Sequence, residues 1–336
     1  MTPAVTGAQP DFGALVISLD FELLWGWRDA FPPDGGTYRD NLLGSRQVIP
    51  KLLDLFERYD IAATWAAVGM LFAGTRSELQ QFQPTILPQY LDRRLCAYQE
   101  PVGEDESADP LHFGRTLIDA IRVRSRQEIG THTFSHFYCL EPGATDLAFA
   151  ADLESAVAIA AQKNLRLRSI VFPRNQHNPA FARHLVEAGI TTFRGTERHT
   201  IHRANQAAEY NRIYRRGGRL LDTYVGLSGD NVTSWADIPQ ANGLYNVPAS
   251  CFLRPVHSGR RSLERLRFRR ITRALERAAI AGGIYHLWWH PHNFGVNQRE
   301  NLEFLTQIFE HFAKYRKQYG MQSLSMAGVV EAGAWR

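Results

Sequence analysis

Short apolar runs alternate with amphipathic stretches along most of the chain. The run ALVISL at 14–19 has the length of a buried strand, and the stretch 44–60 repeats apolar residues every three or four positions, as a helix does. The same pattern predicts further strands over 61–71, 127–133, 168–173, 190–195, 282–290 and 322–324. It predicts further helices over 113–125, 146–163, 179–188, 260–277 and 298–319, with a helical turn at the end of the chain. Strands separated by helices indicate βα units and a parallel sheet.

Seven or eight such strands without an obvious break favour an α/β barrel of parallel strands over an open sheet. We expect a disordered lead-in over 1–12 and one barrel domain over 13–336. The proline-rich stretch 74–110 and the Arg-, Asn- and Gly-rich stretch 195–242 are predicted to be long loop insertions. Ordered loops of this length commonly form lids or substrate walls.

The composition restricts which binding partners and which cellular compartment we expect for this protein. The chain has 336 residues, of which 44% are hydrophobic and 21% charged, and no apolar run approaches the roughly 20 residues of a membrane-spanning helix. Three cysteines, an odd number, favour reduced thiols over disulfides. The N-terminal residues lack a basic segment followed by an apolar core, so we expect a cytoplasmic protein. A net charge of +4 without a recognisable module argues against nucleic acid as a partner.

Polar side chains cluster where predicted strands end. The clusters are Asp20 with Glu22, His132 with His136, Arg174, and His290 with His292. Because functional residues gather at the C-terminal ends of strands in parallel barrels, we expect these clusters to meet in one site.

The histidine pair indicates a metal site. His132 and His136 are four residues apart, so they share a face if the segment is helical. A catalytic zinc site takes about three protein ligands and keeps one position open, which leaves one ligand to be found. Asp20 and Glu22 alternate by two and point the same way on a continuing strand, so either can supply a carboxylate. The other would then act as a base on water that the ion has made more acidic.

The remaining clusters complete a hydrolytic site. His290 or His292 can protonate a departing amine, and Arg174 can hold the free carboxylate by a bidentate contact. These parts indicate metal-assisted hydrolysis of an amide or ester. Four tryptophans next to the clusters are either core residues or platforms for stacking on sugars, namely Trp25, Trp27, Trp288 and Trp289.

The segments SLDFE, HTFSH, FPRNQ and HLWWH together resemble the motifs of the polysaccharide deacetylase (NodB-homology) family, over roughly residues 14–330. The resemblance implies a distorted (β/α) barrel of seven or eight strands and a metal-dependent enzyme that removes acetyl groups from sugars. Two segments depart from the usual pattern. Phe21 separates the two acids, which are adjacent in the commonest motif, and FPRNQ differs from the usual arginine motif.

Carried over residue by residue, the resemblance implies Asp20 as the general base and His290 as the general acid. It implies Glu22, His132 and His136 as ligands of one divalent ion, with zinc expected first and cobalt or nickel as substitutes. Asp20 and Glu22 can exchange these roles, because the spacing of the acids differs from the common motif.

The same resemblance implies that Arg174 braces the base and that a backbone amide near Asn175 stabilises the oxyanion. Further contacts to the substrate are predicted from four neighbouring residues, Trp25, Trp289, His292 and Asn293.

The FPRNQ-like and HPxNF-like segments are similar to those of relatives from surface-polysaccharide and O-antigen biosynthesis. A cytoplasmic enzyme of this kind, either free or peripheral to the inner membrane face, would act on an N-acylated sugar linked to a nucleotide or to a lipid phosphate. The arginine-rich helix would then contact phosphate through Arg267, Arg269 and Arg270. Two alternatives are a hydrolase of small cyclic amides or ureides and a non-catalytic carbohydrate-binding relative. The oligomeric state is left open.

Overall fold

The chain builds its sheet from short parallel strands around one long buried strand. The computed structural model describes residues 10–197, 199, 213–257, 259, 261–333 and 335. Within these residues the strands are β1 Ala14–Phe21, β2 Ala63–Ala67, β3 Gln127–Thr131, β4 Ser169–Ile170, β5 Thr192–Phe193, β6 Tyr245–Asn246, β7 Cys251–Phe252, β8 Ile284–Trp289 and β9 Gln322–Leu324. Most of the predicted lead-in (1–9) and part of the predicted insertion 195–242 lie outside the described residues.

The strands form one curled parallel sheet. Their order is β6-β5-β4-β3-β2-β1-β8-β7, and β9 pairs with β1. Within the described residues, β6 and β7 end the two sides of the curl without pairing with each other, so the barrel is only partly closed. The predicted distorted (β/α) barrel of parallel strands is confirmed.

Helices connect the strands and cover the sheet. They are α1 Arg39–Arg58, α2 Arg76–Gln81, α3 Arg115–Arg122, α4 Asp146–Ala161, α5 Ala182–Glu187, α6 Ile213–Val225, α7 Arg261–Ala281, α8 Gln298–Tyr319 and α9 Met326–Gly333. The apolar periodicity predicted α8 with the bounds that the structure shows. It did not predict the two-residue strands β6 and β7, because so few residues carry no readable period. It also did not predict α6, which lies within the stretch 195–242 that was predicted to be a loop insertion. The predicted insertion 74–110 holds α2 and short 3-10 turns.

The central strand β1 is buried along its whole length and separates two apolar clusters. Leu15, Ile17 and Leu19 join the main core. Ala14 and Val16 point to the other face and join a second cluster. Because side chains alternate along a strand, that second face continues through Ser18 to Asp20. The first strand therefore carries a carboxylate to the end of the sheet where the other predicted polar clusters lie.

All three cysteines, Cys96, Cys139 and Cys251, are free thiols. Among the described residues, no helix combines the length and the apolar character that crossing a membrane requires.

Candidate active site and metal centre

The end of β1 places two carboxylates at the site. The strand stops at Phe21, and Leu23 takes a left-handed backbone conformation with φ of 45°, so the chain turns immediately after Glu22. Asp20 and Glu22 are each only 3% exposed. Gly26 packs against Glu22 so closely that an added Cβ would lie 2.2 Å from the Glu22 carboxylate carbon. The sharp turn and the missing side chain at Gly26 together hold Glu22 in place.

A tight loop after β3, and not the helix considered from the sequence, brings His132 and His136 together. Thr133 and His136 have φ of 63° and 58°, which no helix contains. The buried carboxylate of Asp152 on α4 accepts from the backbone N–H groups of Phe134 at 2.7 Å and Ser135 at 3.1 Å. The strained turn is therefore held by a carboxylate from another element.

The two imidazoles and Glu22 converge. His132 Nδ1 donates to the Val171 carbonyl at 2.8 Å, and its Nε2 lies 3.4 Å from Glu22 Oε2. His136 Nε2 lies 2.9 Å from the same oxygen. The three ligand atoms lie within 4.8 Å of one another, and all three residues are buried. A histidine that donates one ring nitrogen to a carbonyl presents the lone pair of the other, which is how metal-binding histidines are held.

The protonation states suit a cation ligand set. Burial lowers the pKa of His136 to about 3, so this imidazole is neutral and has a lone pair to offer. Burial on its own would raise the pKa of Glu22, but the charge of His290 and the close contacts with both imidazoles lower it well below its usual value. Two imidazoles and one carboxylate, all buried, are donors that divalent zinc, cobalt and nickel accept. The residues present therefore fit the predicted metal.

Arg194, and not Arg174, braces Asp20. Its two terminal nitrogens donate to the two carboxylate oxygens of Asp20 at 2.6 and 2.8 Å, and both side chains are buried. Burial would raise the pKa of Asp20, but the charge of Arg194 and those of neighbouring histidines lower it, so Asp20 is ionised. The predicted contact of Arg174 with Asp20 is wrong. Arg174 turns to Asp29, with Nη2 2.5 Å from its carboxylate.

Arg194 is itself held in place by a series of buried polar contacts. Arg194 also donates to Ser18 Oγ at 2.9 Å and lies over the ring of Trp288. Nε2 of His286 lies 2.8 Å from Ser18 Oγ, and Nδ1 lies 3.0 Å from the Val247 carbonyl. Burial lowers the pKa of His286 to about 3, so it is neutral. Arg194 was not among the residues predicted from the sequence, although it directly follows β5 and is therefore a polar residue at a strand end like the others.

His290 closes the site from the end of β8. Its Nε2 lies 3.3 Å from Glu22 Oε1 and 3.8 Å from Asp20 Oδ2, and its side chain is 18% exposed. His292 stacks on His290 with ring centroids 4.8 Å apart, and its Nε2 accepts from Trp27 Nε1 at 3.1 Å. Glu22, His290 and His292 also form a second group with the spacing of metal ligands.

Some of the residues predicted to contact the substrate line the active-site cavity, and others do not. A cavity of about 310 Å³ is lined by Asp20, Glu22, Gly26, Trp27, Asp29, Ala30, His132, His136, Arg174, Asn175, Trp288 and His290. Trp25 and Trp289 are core residues with 1% and 0% exposure, so they are not available to stack on a substrate, whereas Trp27 and Trp288 line the cavity.

His292 and Asn293 support His290 and do not line this cavity. Asn293 Oδ1 accepts from the backbone N–H of His290 at 3.3 Å. Asn175 lines the cavity through its side chain, which accepts from Arg194 at 3.0 Å. The backbone N–H of Asn175 donates to the Phe172 carbonyl at 2.8 Å, so it is not directed at the cavity as an oxyanion donor.

The three arginines predicted to contact phosphate separate on α7. Arg267 is buried, donates to the Arg254 carbonyl and stacks on Phe304, so it faces the protein interior. Arg269 lines a groove against α8. Arg270 alone reaches a cavity next to His290. The prediction is therefore wrong for Arg267, since its guanidinium is used inside the fold.

Comparisons with known proteins bear on the fold. A putative polysaccharide deacetylase from Mycobacterium smegmatis is 14% identical with a TM-score of 0.59, over 99% of this chain and 94% of that one. A probable polysaccharide deacetylase from Pseudomonas aeruginosa PAO1 is 13% identical with a TM-score of 0.54, over 95% and 90%. PuuE allantoinase is 14% identical with a TM-score of 0.55, over 95% and 89%. At these identities the likeness establishes a shared fold. No family model and no curated protein matches the sequence.

Proposed function

We propose that this protein is a metal-dependent hydrolase that removes an N-acetyl or other N-acyl group from a sugar. One observation carries the proposal. An ionised Asp20, held by Arg194, lies next to a buried set of two imidazoles and a carboxylate, with His290 within 4 Å of both acids. This arrangement supplies a base, an acid and a place for a Lewis acid around one cavity.

Glu22, His132 and His136 would hold the ion. When bound, a divalent cation would polarise the amide carbonyl and make water more acidic. Glu22 is the better ligand of the two acids because one of its oxygens already faces both imidazoles, at 3.4 and 2.9 Å. Asp20 has both oxygens engaged by Arg194, which leaves it as the base. Zinc is the expected ion, and cobalt and nickel suit the same donors.

Proton transfer follows from the same geometry. Asp20 accepts the proton of the attacking water, because its buried carboxylate is ionised and fixed in orientation. His290 lines the same cavity, with Nε2 3.8 Å from Asp20 Oδ2, and donates a proton to the departing nitrogen. The indoles of Trp27 and Trp288 line the same cavity and would contact a sugar ring bound there.

Three features support a sugar amide as the substrate. The four motif segments resemble polysaccharide deacetylases, two solved structures with this fold bear that name, and the cavity has aromatic walls. The motif variants are similar to those of surface-polysaccharide and O-antigen enzymes. We therefore place the reaction in the assembly of such a polymer, on a nucleotide- or lipid-phosphate-linked sugar. The cytoplasmic location stays a prediction.

Acetate release tests the proposal. The protein loaded with zinc should release acetate from N-acetylglucosamine derivatives, and removal of the ion with a chelator should abolish this activity. Zinc, cobalt or nickel added back should restore it. A metal-loaded protein that binds these sugars without releasing acetate would be a carbohydrate-binding relative and would overturn the proposal.

A second candidate function is the opening of a small cyclic amide or ureide. The similarity in fold to PuuE allantoinase, at a TM-score of 0.55, favours this reaction as the second candidate. Assay of allantoin ring opening with and without chelator separates the two candidates. Ring opening that survives removal of metal, together with no acetate release, would favour the second.

A further inference from the structure

Helix α6 turns polar side chains into the protein and apolar side chains outward. Asp222 and Thr223 are buried, at 2% and 7% exposure, whereas Leu220, Leu221 and Val225 are 42%, 52% and 61% exposed. A helix at the surface of a globular protein normally buries its apolar side. The reverse orientation therefore indicates that the outer side of α6 is an interface.

Exposed apolar residues are concentrated in this part of the molecule. Eleven large apolar side chains are exposed in the described part of the chain, and four of them fall within residues 220–227. Single exposed apolar residues are ordinary on protein surfaces, but a contiguous patch marks a contact with a protein or a membrane. We define the apolar patch as Leu220, Leu221, Val225 and Leu227.

A row of exposed arginines follows one face of α7. We define the arginine row as Arg265, Arg269, Arg273 and Arg277. Its members are four residues apart and so share a face, over a length of about 18 Å along the helix. The two acids of α7 are less exposed than the row, since Glu264 is buried and Glu276 is half-buried.

Most of the arginine row has no acidic partner. Arg277 pairs with Asp230 in the loop after α6. Within the described ranges of the chain, the other three members form no ion pair. The groove between α7 and α8 contains Glu300 and Glu303, but their carboxylates lie 3.8 Å from Arg299 on α8 itself. The exposed face of α7 therefore carries an excess of positive charge.

The apolar patch and the arginine row adjoin, because α6 ends against α7. Arg270 packs against Gly226, where an added Cβ would lie 3.1 Å from Arg270 Nε. Gly226 separates Val225 from Leu227 in the patch. Arg273 of the row follows Arg270 by three residues and so lies beside it on the helix. The patch and the row therefore form one exposed surface.

The combination of apolar and positive side chains indicates the kind of partner. Nucleic acid would match the arginines and leave the apolar patch without a contact. A second copy of the chain, related by a twofold axis, would bring two arginine rows together and repel. An anionic membrane matches both features, since its headgroups attract arginines and apolar side chains enter the boundary with the acyl chains.

We propose that the apolar patch and the arginine row dock this protein on a membrane that contains anionic phospholipid. The surface lies near the active-site cavity. Thr223, on the inner side of α6, lines a neighbouring cavity of about 200 Å³ together with Trp288 and His290. Docking does not depend on the proposed reaction, but for a lipid-linked sugar it would bring the bilayer to the side of the protein where His290 lies.

Sedimentation with vesicles tests the proposal. The full chain should bind vesicles made of phosphatidylcholine and phosphatidylglycerol in equal parts. It should bind vesicles of phosphatidylcholine alone at least about tenfold more weakly, and high salt should release it from the anionic vesicles. Equal binding to both kinds of vesicle, or binding to neither, would overturn the proposal.

Arginine variants assign the charge effect to this surface. The combined change Arg265→Gln, Arg269→Gln and Arg273→Gln should weaken binding about a hundredfold, since each arginine near an anionic membrane contributes about a factor of five.

The matched control removes the same charge from exposed arginines on α1, α3 and α5, through Arg58→Gln, Arg122→Gln and Arg183→Gln. It should keep the binding of the parent protein. An equal loss in both triple variants would assign the attraction to net charge and contradict the docking surface.

Apolar variants test the other half of the surface. Leu221→Ser combined with Val225→Ser should weaken binding about tenfold or more, because both side chains lose their contact with the acyl chains. The matched control, Leu147→Ser combined with Val186→Ser, changes residues that are also exposed and should leave binding intact. Unfolding in urea should be the same for both variants, so that a loss of binding reflects the surface.

Two further outcomes would reassign the surface or separate it from the proposed function. A dimer in vesicle-free solution that the Leu221 and Val225 changes dissociate would assign the surface to a second copy of the chain and reject the membrane. Membrane binding without acetate release from any sugar would retain the docking surface and reject the deacetylase. Acetate release without binding to any vesicle would do the reverse.

Discussion

At the scale of single residues, neighbouring side chains determine the different roles of two similar carboxylates, Asp20 and Glu22. Asp20 and Glu22 lie two positions apart on the same strand end, and both are buried. Arg194 holds both oxygens of Asp20, whereas Glu22 faces the two imidazoles. The sequence predicted that one acid binds metal and the other acts as base, but it left their order open because spacing alone does not show which side chain faces the histidines.

Conservative substitutions at the two acids test this assignment. Asp20→Asn should reduce turnover about 10²–10⁴-fold, the range lost with a general base, while zinc stays bound. Glu22→Gln should lower zinc affinity at least about tenfold, because even changes outside the ligand set cost that much. Metal content by mass spectrometry and acetate release together distinguish the two variants. Loss of zinc from Asp20→Asn with zinc retained in Glu22→Gln would exchange the roles.

Removal of the brace should change the pH profile of the reaction. Arg194 lowers the pKa of Asp20, so Arg194→Gln should raise the pKa of this carboxyl. As the pH is lowered, the variant should therefore lose its activity at a higher pH than the parent protein does. The variant also leaves a buried carboxylate unpaired, which costs about 3–5 kcal/mol of folding free energy.

Arg174→Gln is the matched control for that profile. Its partner is Asp29, so the acid limb of kcat/KM should stay in place. An equal displacement of the limb in both variants, or in neither, would show that Arg194 does not set the pKa of the base.

At the scale of elements, the loop between β3 and α4 has the least predictable geometry in the site. The spacing of His132 and His136 correctly indicated that they meet, but for a helical reason that does not apply. The loop depends on Asp152 on α4, whose carboxylate accepts from the backbone N–H groups of Phe134 and Ser135. A contact of this kind leaves no periodic trace in the sequence, so neither the loop conformation nor the role of Asp152 could be predicted.

Asp152→Ala tests whether this loop sets the positions of the ligands. The change leaves the two buried N–H groups without their acceptor, so the free energy of unfolding in urea should fall by at least about 2 kcal/mol. Zinc affinity should fall as well, because the turn that brings His136 to His132 loses its support.

Glu154→Gln on the exposed side of the same helix serves as the control and should change neither quantity. If zinc affinity in Asp152→Ala matches that of the control, Asp152 stabilises the helix contact without positioning the ligands.

At the scale of the whole molecule, the parallel order of strands explains why the sequence predicted as much as it did. Ends of neighbouring parallel strands meet at one edge, so Asp20, His132 and His290 could be placed together without coordinates. The choice of Arg194 over Arg174 depends on the curl of the sheet and on side-chain direction across strands that are not adjacent. Those distances arise from the packing of the entire chain, and local periodicity does not contain them.

The central claim is that Glu22, His132 and His136 bind one catalytic cation. A crystal structure of the zinc-loaded protein, with diffraction data on both sides of the zinc absorption edge, tests it most directly. We expect one anomalous peak about 2.0–2.2 Å from a Glu22 oxygen and from Nε2 of each of the two histidines. A peak on Glu22, His290 and His292 instead, or no peak near Glu22, would contradict it.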